Sequence, residues 1–398
     1  LQPHTHSQHA AAASLLFAFA LGVGPCRGIP TFLFDADLDD DGLVTSADLA
    51  AATACLGAGI GLPEIEVDVG GCPVQVGPAP TGCESADVDR SGLVTPIDVA
   101  LVAERLGQPV CNGSEQLCGR RFDQVAYATT HNAMSARFEP YAYSIVISNQ
   151  CSGIPTQLAD GIRALMLDIH LYQPAEAEAP DLYLCHSECD IGHQLLSDGL
   201  AEIRAFLDAR PAEVIAFIIE TSAATQGMEA EIRDAFAASG LLDYAHVQTA
   251  GAEWPTLGEL VAADQRLVVL TDDPSPHDGC DASGTPCPWY HDLWSSFAFE
   301  THFSYKKPED FSCVDNRGEP GNDLFILNHF LTRNVGSTVL ARQVNYAQLL
   351  ARRARECWEF QDHIPNFVTV DFYEIGSVLR ITNLLNYLWG QNEGAPPL

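Results

Sequence analysis

Two periods alternate along most of the chain. From Arg120 onward, the apolar runs at 125–130, 164–172, 181–186, 214–221, 266–271, 324–330 and 366–373 have the length and β-branched content of strands. Between them, residues 195–209, 228–240, 256–263 and 345–360 place apolar side chains three and four apart, which gathers them on one helix face. Strand and helix in alternation over 120–392 predict an α/β fold, a (β/α)8 TIM-like barrel, with a doubly wound sheet as the competing arrangement. His131, Asp168, His186, Glu220, Asn328 and Asp371 all fall at the ends of strand runs, where a barrel enzyme keeps its site.

The N-terminal part follows another pattern, and it occurs twice. Asp37, Asp39, Asp41 and Asp48 stand at positions 1, 3, 5 and 12 of one loop, and Asp87, Asp89, Ser91 and Asp98 at the same positions of a second. Gly42 and Gly92 occupy position 6, where a calcium loop turns sharply. Each loop runs into an apolar helical stretch, so a small α-helical domain holding two Ca2+ ions is expected over 33–107. Ahead of it, the apolar run 11–24 within residues 1–28 has the length of a signal-peptide core and is too short to span a bilayer. Export to the extracellular space or periplasm is the expectation.

Charge and cysteine content sharpen this picture. With 20 Lys and Arg against 53 Asp and Glu, the formal net charge is −33, which disfavours nucleic acid or an anionic membrane as an electrostatically held partner and favours a divalent cation. At most transient contact with a membrane surface is expected. Thirteen cysteines without a zinc-type spacing point to disulfides and an oxidising compartment. Cys185 and Cys189 flank His186, where a disulfide is favoured over a reactive thiol or a zinc site.

Ala-Thr-Thr-His131-Asn132-Ala-Met, Gly161 to His170, and Leu-Tyr-Leu-Cys-His186-Ser resemble the X domain of phosphatidylinositol-specific phospholipase C, a PLC-like phosphodiesterase of the TIM-barrel superfamily. The likeness extends through Trp254-Pro-Thr-Leu-Gly-Glu, Leu324 to Phe330 and Pro365 to Tyr373. The repeated loops resemble a dockerin type I module, although the linker 58–86 is longer than such modules have. That second likeness implies a cohesin-like partner; the plainer reading is that the calcium loops only hold a small domain together.

The first resemblance implies cleavage of a lipid phosphodiester by paired imidazoles, with His131 as base, His186 as acid and Asp371 orienting an imidazole. The product would be a cyclic inositol phosphate. Calcium-dependent relatives place ligands at the positions of Asn132, Met166, Asp168 and Glu220, and calcium-independent bacterial ones place an arginine at the position of His170. Methionine is no calcium ligand, so an incomplete barrel site of Asn132, Asp168 and Glu220 is expected, with His170 able to contribute charge or orient a hydroxyl. Glu220 ends a buried-looking run and is expected to be paired or metal-bound. Two other readings stand beside this one. The barrel would act on a glycerophosphodiester or another headgroup, or the chain would be a non-catalytic carrier with a docking module.

Overall fold

The structure is a computed structural model that describes residues 35–60, 64–69, 72–76, 82–88, 93–138, 147–273, 288–332, 336–392 and 394–396. The leader-like segment 1–28 and Asp89 and Ser91 of the second loop lie outside these residues.

Eight strands run parallel in one curled sheet: β1 (Tyr127–Thr130), β2 (Ala164–Tyr172), β3 (Ile215–Thr221), β4 (Leu267–Thr271), β5 (Tyr290–Asp292), β6 (Ala298–Thr301), β7 (Leu324–Asn328) and β8 (Phe367–Val370). The order β6-β7-β8-β1-β2-β3-β4-β5 joins the last strand to the first, as a barrel requires. It does not close. Among the described residues no pairing joins β5 to β6; the turn Leu293–Phe297 lies between them, and β6 pairs on its outer edge with the antiparallel strand Asp315–Gly318. The expected closed (β/α)8 ring is therefore corrected to an open, curled sheet. The strand–helix alternation holds in the first half: helix Leu196–Ala209 lies between β2 and β3, and helices Glu229–Ser239 and Leu257–Ala262 lie between β3 and β4. It lapses at β5 and β6, where Asp292 caps the short turn and, among the described residues, no long helix lies between the two strands.

The period-2 pleat decides what the barrel contains. Tyr127, Ala164, Ala216, Val268, Ala298, Ile326 and Phe367 share one buried cluster, and Phe122 stacked on Trp254 at 4.9 Å belongs to the same cluster. Two or four residues further along each strand, the same parity reaches polar groups: His131, Asp168, Glu220, Asp272, Glu300, Asn328 and Asp371. The opposite parity, with Leu165, Leu167, Phe217, Val269, Phe325 and Val368, packs under the helices.

The two repeat copies pack into one small unit. Their helices, Ser46–Ala54 and Pro96–Glu104, contribute Ala52 and Val102 to a core with Ala36, Val44, Val88 and Val110. Asp48 and Asp98 act as third-residue partners of the caps Thr45 and Thr95, so both position-12 acids also hold a helix start. The first copy is seated on the barrel: Asp40 pairs with Arg210 at 2.6 Å, a side chain at Gly42 would strike Ala212, and Asn112 bonds the backbone of Val214. Ten cysteines among the described residues form five disulfides, Cys55–Cys83, Cys72–Cys151, Cys111–Cys118, Cys185–Cys189 and Cys313–Cys357. No helix among the described residues is long and apolar enough to cross a membrane.

Candidate active site

His131 immediately follows β1, and its backbone N–H donates to the Val370 carbonyl on neighbouring β8. The residue after it, Asn132, has φ 47°; so, in the left-handed region, do Ser187 after His186 (63°) and Phe372 after Asp371 (49°). Each of the three chemically suggestive residues thus sits just before a backbone conformation that non-glycine residues rarely adopt, and strain of this kind persists only where the surroundings enforce it.

The His131 Nδ1 lies 2.8 Å from Asp371 Oδ1. A carboxylate can only accept, so Nδ1 carries the proton and Nε2 keeps its lone pair. Phe330 stacks on the ring at 4.0 Å and an 8° interplanar angle, which fixes its plane. His186 is held in the same manner from another direction, its Nδ1 donating to the Ile147 carbonyl at 3.0 Å and leaving Nε2 free. Burial, and next the neighbouring charge of His131, pull His186 below the ordinary imidazole range, which makes its protonated form a stronger acid.

His131 borders an open cleft lined also by Asn132, Met166, Asp168, Glu220, Asp272, Glu300, Arg317, Asn328 and Phe330, among others; Asp371 and His186 are not among its lining residues. Asp168 is 9% exposed. Burial first, then Glu220 and Asp272, hold it well above the usual carboxylate range. The Glu220 side chain is exposed, which corrects the expectation that it is buried and must be paired. Asp272, which follows β4, accepts from the Thr221 N–H at 2.8 Å and is raised chiefly by burial. Across the cleft, Arg317 is flanked by Trp294 and Phe303 at 4.3 and 4.5 Å, while its Nε donates to the buried Glu300, which also takes the Asn328 amide.

For a cation, the donors facing this cleft are hard oxygens, the kind that a divalent ion takes. The carboxylates are nonetheless not gathered. Among the described residues, oxygens within 4.8 Å of one another occur at Asp37, Asp39 and Asp48 of the first repeat and not at Asp168, Glu220 and Asp272. Asp41 faces elsewhere, accepting from Leu43 N–H. His170 groups with Cys185 and Cys189, whose disulfide removes them as metal ligands; like His186 it is lowered chiefly by burial and is not a lining residue of the cleft. His329 bonds the Val344 carbonyl and Tyr373 donates to Asp160, so both are packing residues.

Glu300, Arg317, Asp272 and Asn149 are cleft or supporting residues that the sequence reading missed. The pleat parity would have found Asp272, one residue beyond a recognised run. Glu300 lies on a four-residue strand without a periodic signature, and Arg317 and Asn149 come from segments with none.

Residues 117–386 match the family model described as PI-PLC X 1, and the chain belongs to that family. Among similar proteins is PI-PLC X domain-containing protein 1 of Arthroderma benhamiae, 28% identical over 298 residues that make up 70% of this chain and 90% of that one. An uncharacterized secreted protein of the same organism is 27% identical over 67% of this chain and 61% of its own length. Among solved structures, the phosphatidylinositol-specific phospholipase C of Listeria monocytogenes aligns with a TM-score of 0.44 at 16% identity, covering 68% of this chain and 97% of that one. The family match does not extend to the N-terminal repeat.

Proposed function

We propose that the barrel, residues 120–392, is an exported phosphodiesterase acting on phosphatidylinositol or a related lipid whose headgroup carries a hydroxyl beside the phosphate. His131 Nε2 takes the hydroxyl proton as that oxygen bonds to phosphorus; the phosphorus–oxygen bond to the lipid alcohol breaks, and His186 Nε2–H protonates the departing alkoxide. A cyclic phosphate and diacylglycerol result. Asp371 holds the His131 tautomer and stabilises the imidazolium that forms. The observation that carries this reading is the 2.8 Å His131–Asp371 pair, whose imidazole lines the cleft, beside a second imidazole, His186, held through Nδ1 by the Ile147 carbonyl at 3.0 Å.

Asn132, Asp168 and Glu220 would hold a calcium ion, which when bound neutralises charge on the phosphoryl oxygens. In the N-terminal unit, 33–107, Asp37, Asp39 and Asp48 would hold another, with Asp87, Asp89, Ser91 and Asp98 its counterparts in the second copy. Because Asp40 and Gly42 are pressed against Arg210 and Ala212, the repeat is read as a calcium-held brace on its own barrel in preference to a dockerin with a cohesin-like partner. Disulfides support an extracellular location.

The test is incubation with phosphatidylinositol vesicles, with and without chelator, comparing the intact protein with His131→Ala. Water-soluble inositol phosphate released only by the intact protein supports the reading, and none from either protein overturns it. Chelator-insensitive release removes calcium from the barrel chemistry.

A further inference from the structure

Asn149 does not line the cleft, and no part of the proposed chemistry uses it. Its side chain is 2% exposed, yet both ends are bonded. The Nδ2 amide donates to Asp371 Oδ1 at 2.9 Å, the same oxygen that accepts from His131, and Oδ1 accepts from Asn132 Nδ2 at 3.2 Å.

The polarity of this chain of bonds follows from its first member. An ionised carboxylate has no proton to give, so both groups on Asp371 Oδ1 must be donors. The Asn149 group there is therefore NH2 and its other end is the carbonyl oxygen. That carbonyl can only accept, so the Asn132 group touching it is NH2, and the Asn132 carbonyl oxygen is the end left for the cleft. Reversing either amide would set two acceptors or two donors face to face. We infer that Asn149 is a positioning residue that transmits the charge of Asp371 in two directions, pinning the carboxylate against His131 Nδ1–H and turning the Asn132 carbonyl oxygen toward the substrate side. The inference rests on the phosphodiesterase reading for its kinetic consequence but not for its geometry.

The backbone around Asn149 does a separate job. Its N–H donates to Ser135, its carbonyl accepts from Phe372 N–H, and the Gln150 amide clips the His131 and Val370 carbonyls. Those bonds survive a side-chain change, so the side chain can be tested alone. Asn149→Asp preserves shape but replaces the donor with an acceptor facing Asp371; Asn149→Ala removes both bonds without adding charge.

Two readouts separate positioning from mere stability. With phosphatidylinositol vesicles, kcat of either variant is expected to fall about 100-fold with KM changed less than about 3-fold, since only the transition state depends on the fixed base. In ring 15N NMR of the neutral imidazole, the intact protein is expected to show one Nδ1–H tautomer for His131, and both variants a mixture of tautomers. Native kcat and a single tautomer in Asn149→Asp overturns the inference. So does a loss of kcat that follows the loss of folded protein in thermal melts while the tautomer stays single. If the intact protein releases no inositol phosphate, the function is wrong and the NMR result still decides the role of Asn149.

Discussion

Cys72, in the hairpin between the two repeat copies, is disulfide-bonded to Cys151, which directly follows the Gln150 that holds the His131 carbonyl. The N-terminal unit is thus covalently joined to the shelf beneath the proposed base. Cys151 N–H and Ser152 N–H also donate to Glu374, so the same shelf ties the loop after β8. Cys72→Ser is expected to lower stability by up to about 4 kcal/mol, because the bond spans 79 residues and constrains the unfolded chain. Denaturant unfolding of the variant against the intact protein checks this; a change under about 1 kcal/mol would show that the link constrains little.

The acid and base are separable by leaving group. His131→Ala is expected to lower kcat by roughly 10³ on any substrate, since the attacking hydroxyl always needs its proton removed. His186→Ala should be comparably poor on a lipid, whose alkoxide must be protonated, but should recover most of its rate on an inositol phosphodiester with a nitrophenol leaving group. Equal losses on both substrates would contradict the assignment of His186 as the acid.

Asp371→Asn keeps the size of the side chain and removes its obligation to accept. The carboxamide can then donate to Nδ1, which moves the imidazole proton to Nε2 and blocks the base. A fall in kcat of about 100-fold is expected with little change in KM, measured on the same vesicles.

How much of this was legible in the sequence differs by element. Strands β1 to β4, β7 and β8 each form a buried run, and their period places His131 and Asp371 just past strand ends and Asp168 on the same parity in the middle of β2. β5 and β6 have three and four residues and are separated only by a short segment holding the polar Ser295 and Ser296, so no apolar run marks either strand, and the opening of the barrel lies between them. Glu220 was misjudged because the apolar run before it suggested burial, whereas its side chain is exposed where β3 opens onto the cleft. Asn149 was invisible for a different reason: its role comes from contact with Asp371, 222 residues away, and local sequence holds no trace of that pairing.

Calcium should bind the first repeat and be felt as stability. Asp37 and Asp48 are already engaged in loop and cap hydrogen bonds, whereas Asp39 is exposed and its side chain forms none, so it is the ligand that can be removed without touching the loop. Calcium at about 100 times its dissociation constant is expected to stabilise the intact protein by about 3 kcal/mol. Asp39→Ala should lose most of that calcium-induced rise in melting temperature while its calcium-free melting temperature stays as in the intact protein. An undiminished calcium response would remove Asp39 from the site.

Stability should fall on both sides of a mildly acidic optimum, through two buried groups outside the catalytic pair. Burial, then Arg353, lowers His329 from 6.5 to about 3. Between those values the unfolded chain binds a proton that the folded one does not, so stability is lost as pH falls from about 6.5 toward 3. Glu374 is shifted the other way, from 4.5 up to about 7, chiefly by burial against which the Ser152 and Cys151 N–H bonds act. Here the folded chain keeps a proton that the unfolded one releases, so stability is lost as pH rises from about 4.5 through 7. Melting temperature measured from pH 3 to 8 should therefore show two limbs. His329→Asn should make the acid limb shallower and leave the other, and Glu374→Gln should make the alkaline limb shallower alone; the slope that remains comes from groups such as His186, lowered by burial, and Asp168, raised by it. A variant that shifts the whole curve down without changing either slope would show that its residue packs but does not titrate within the range.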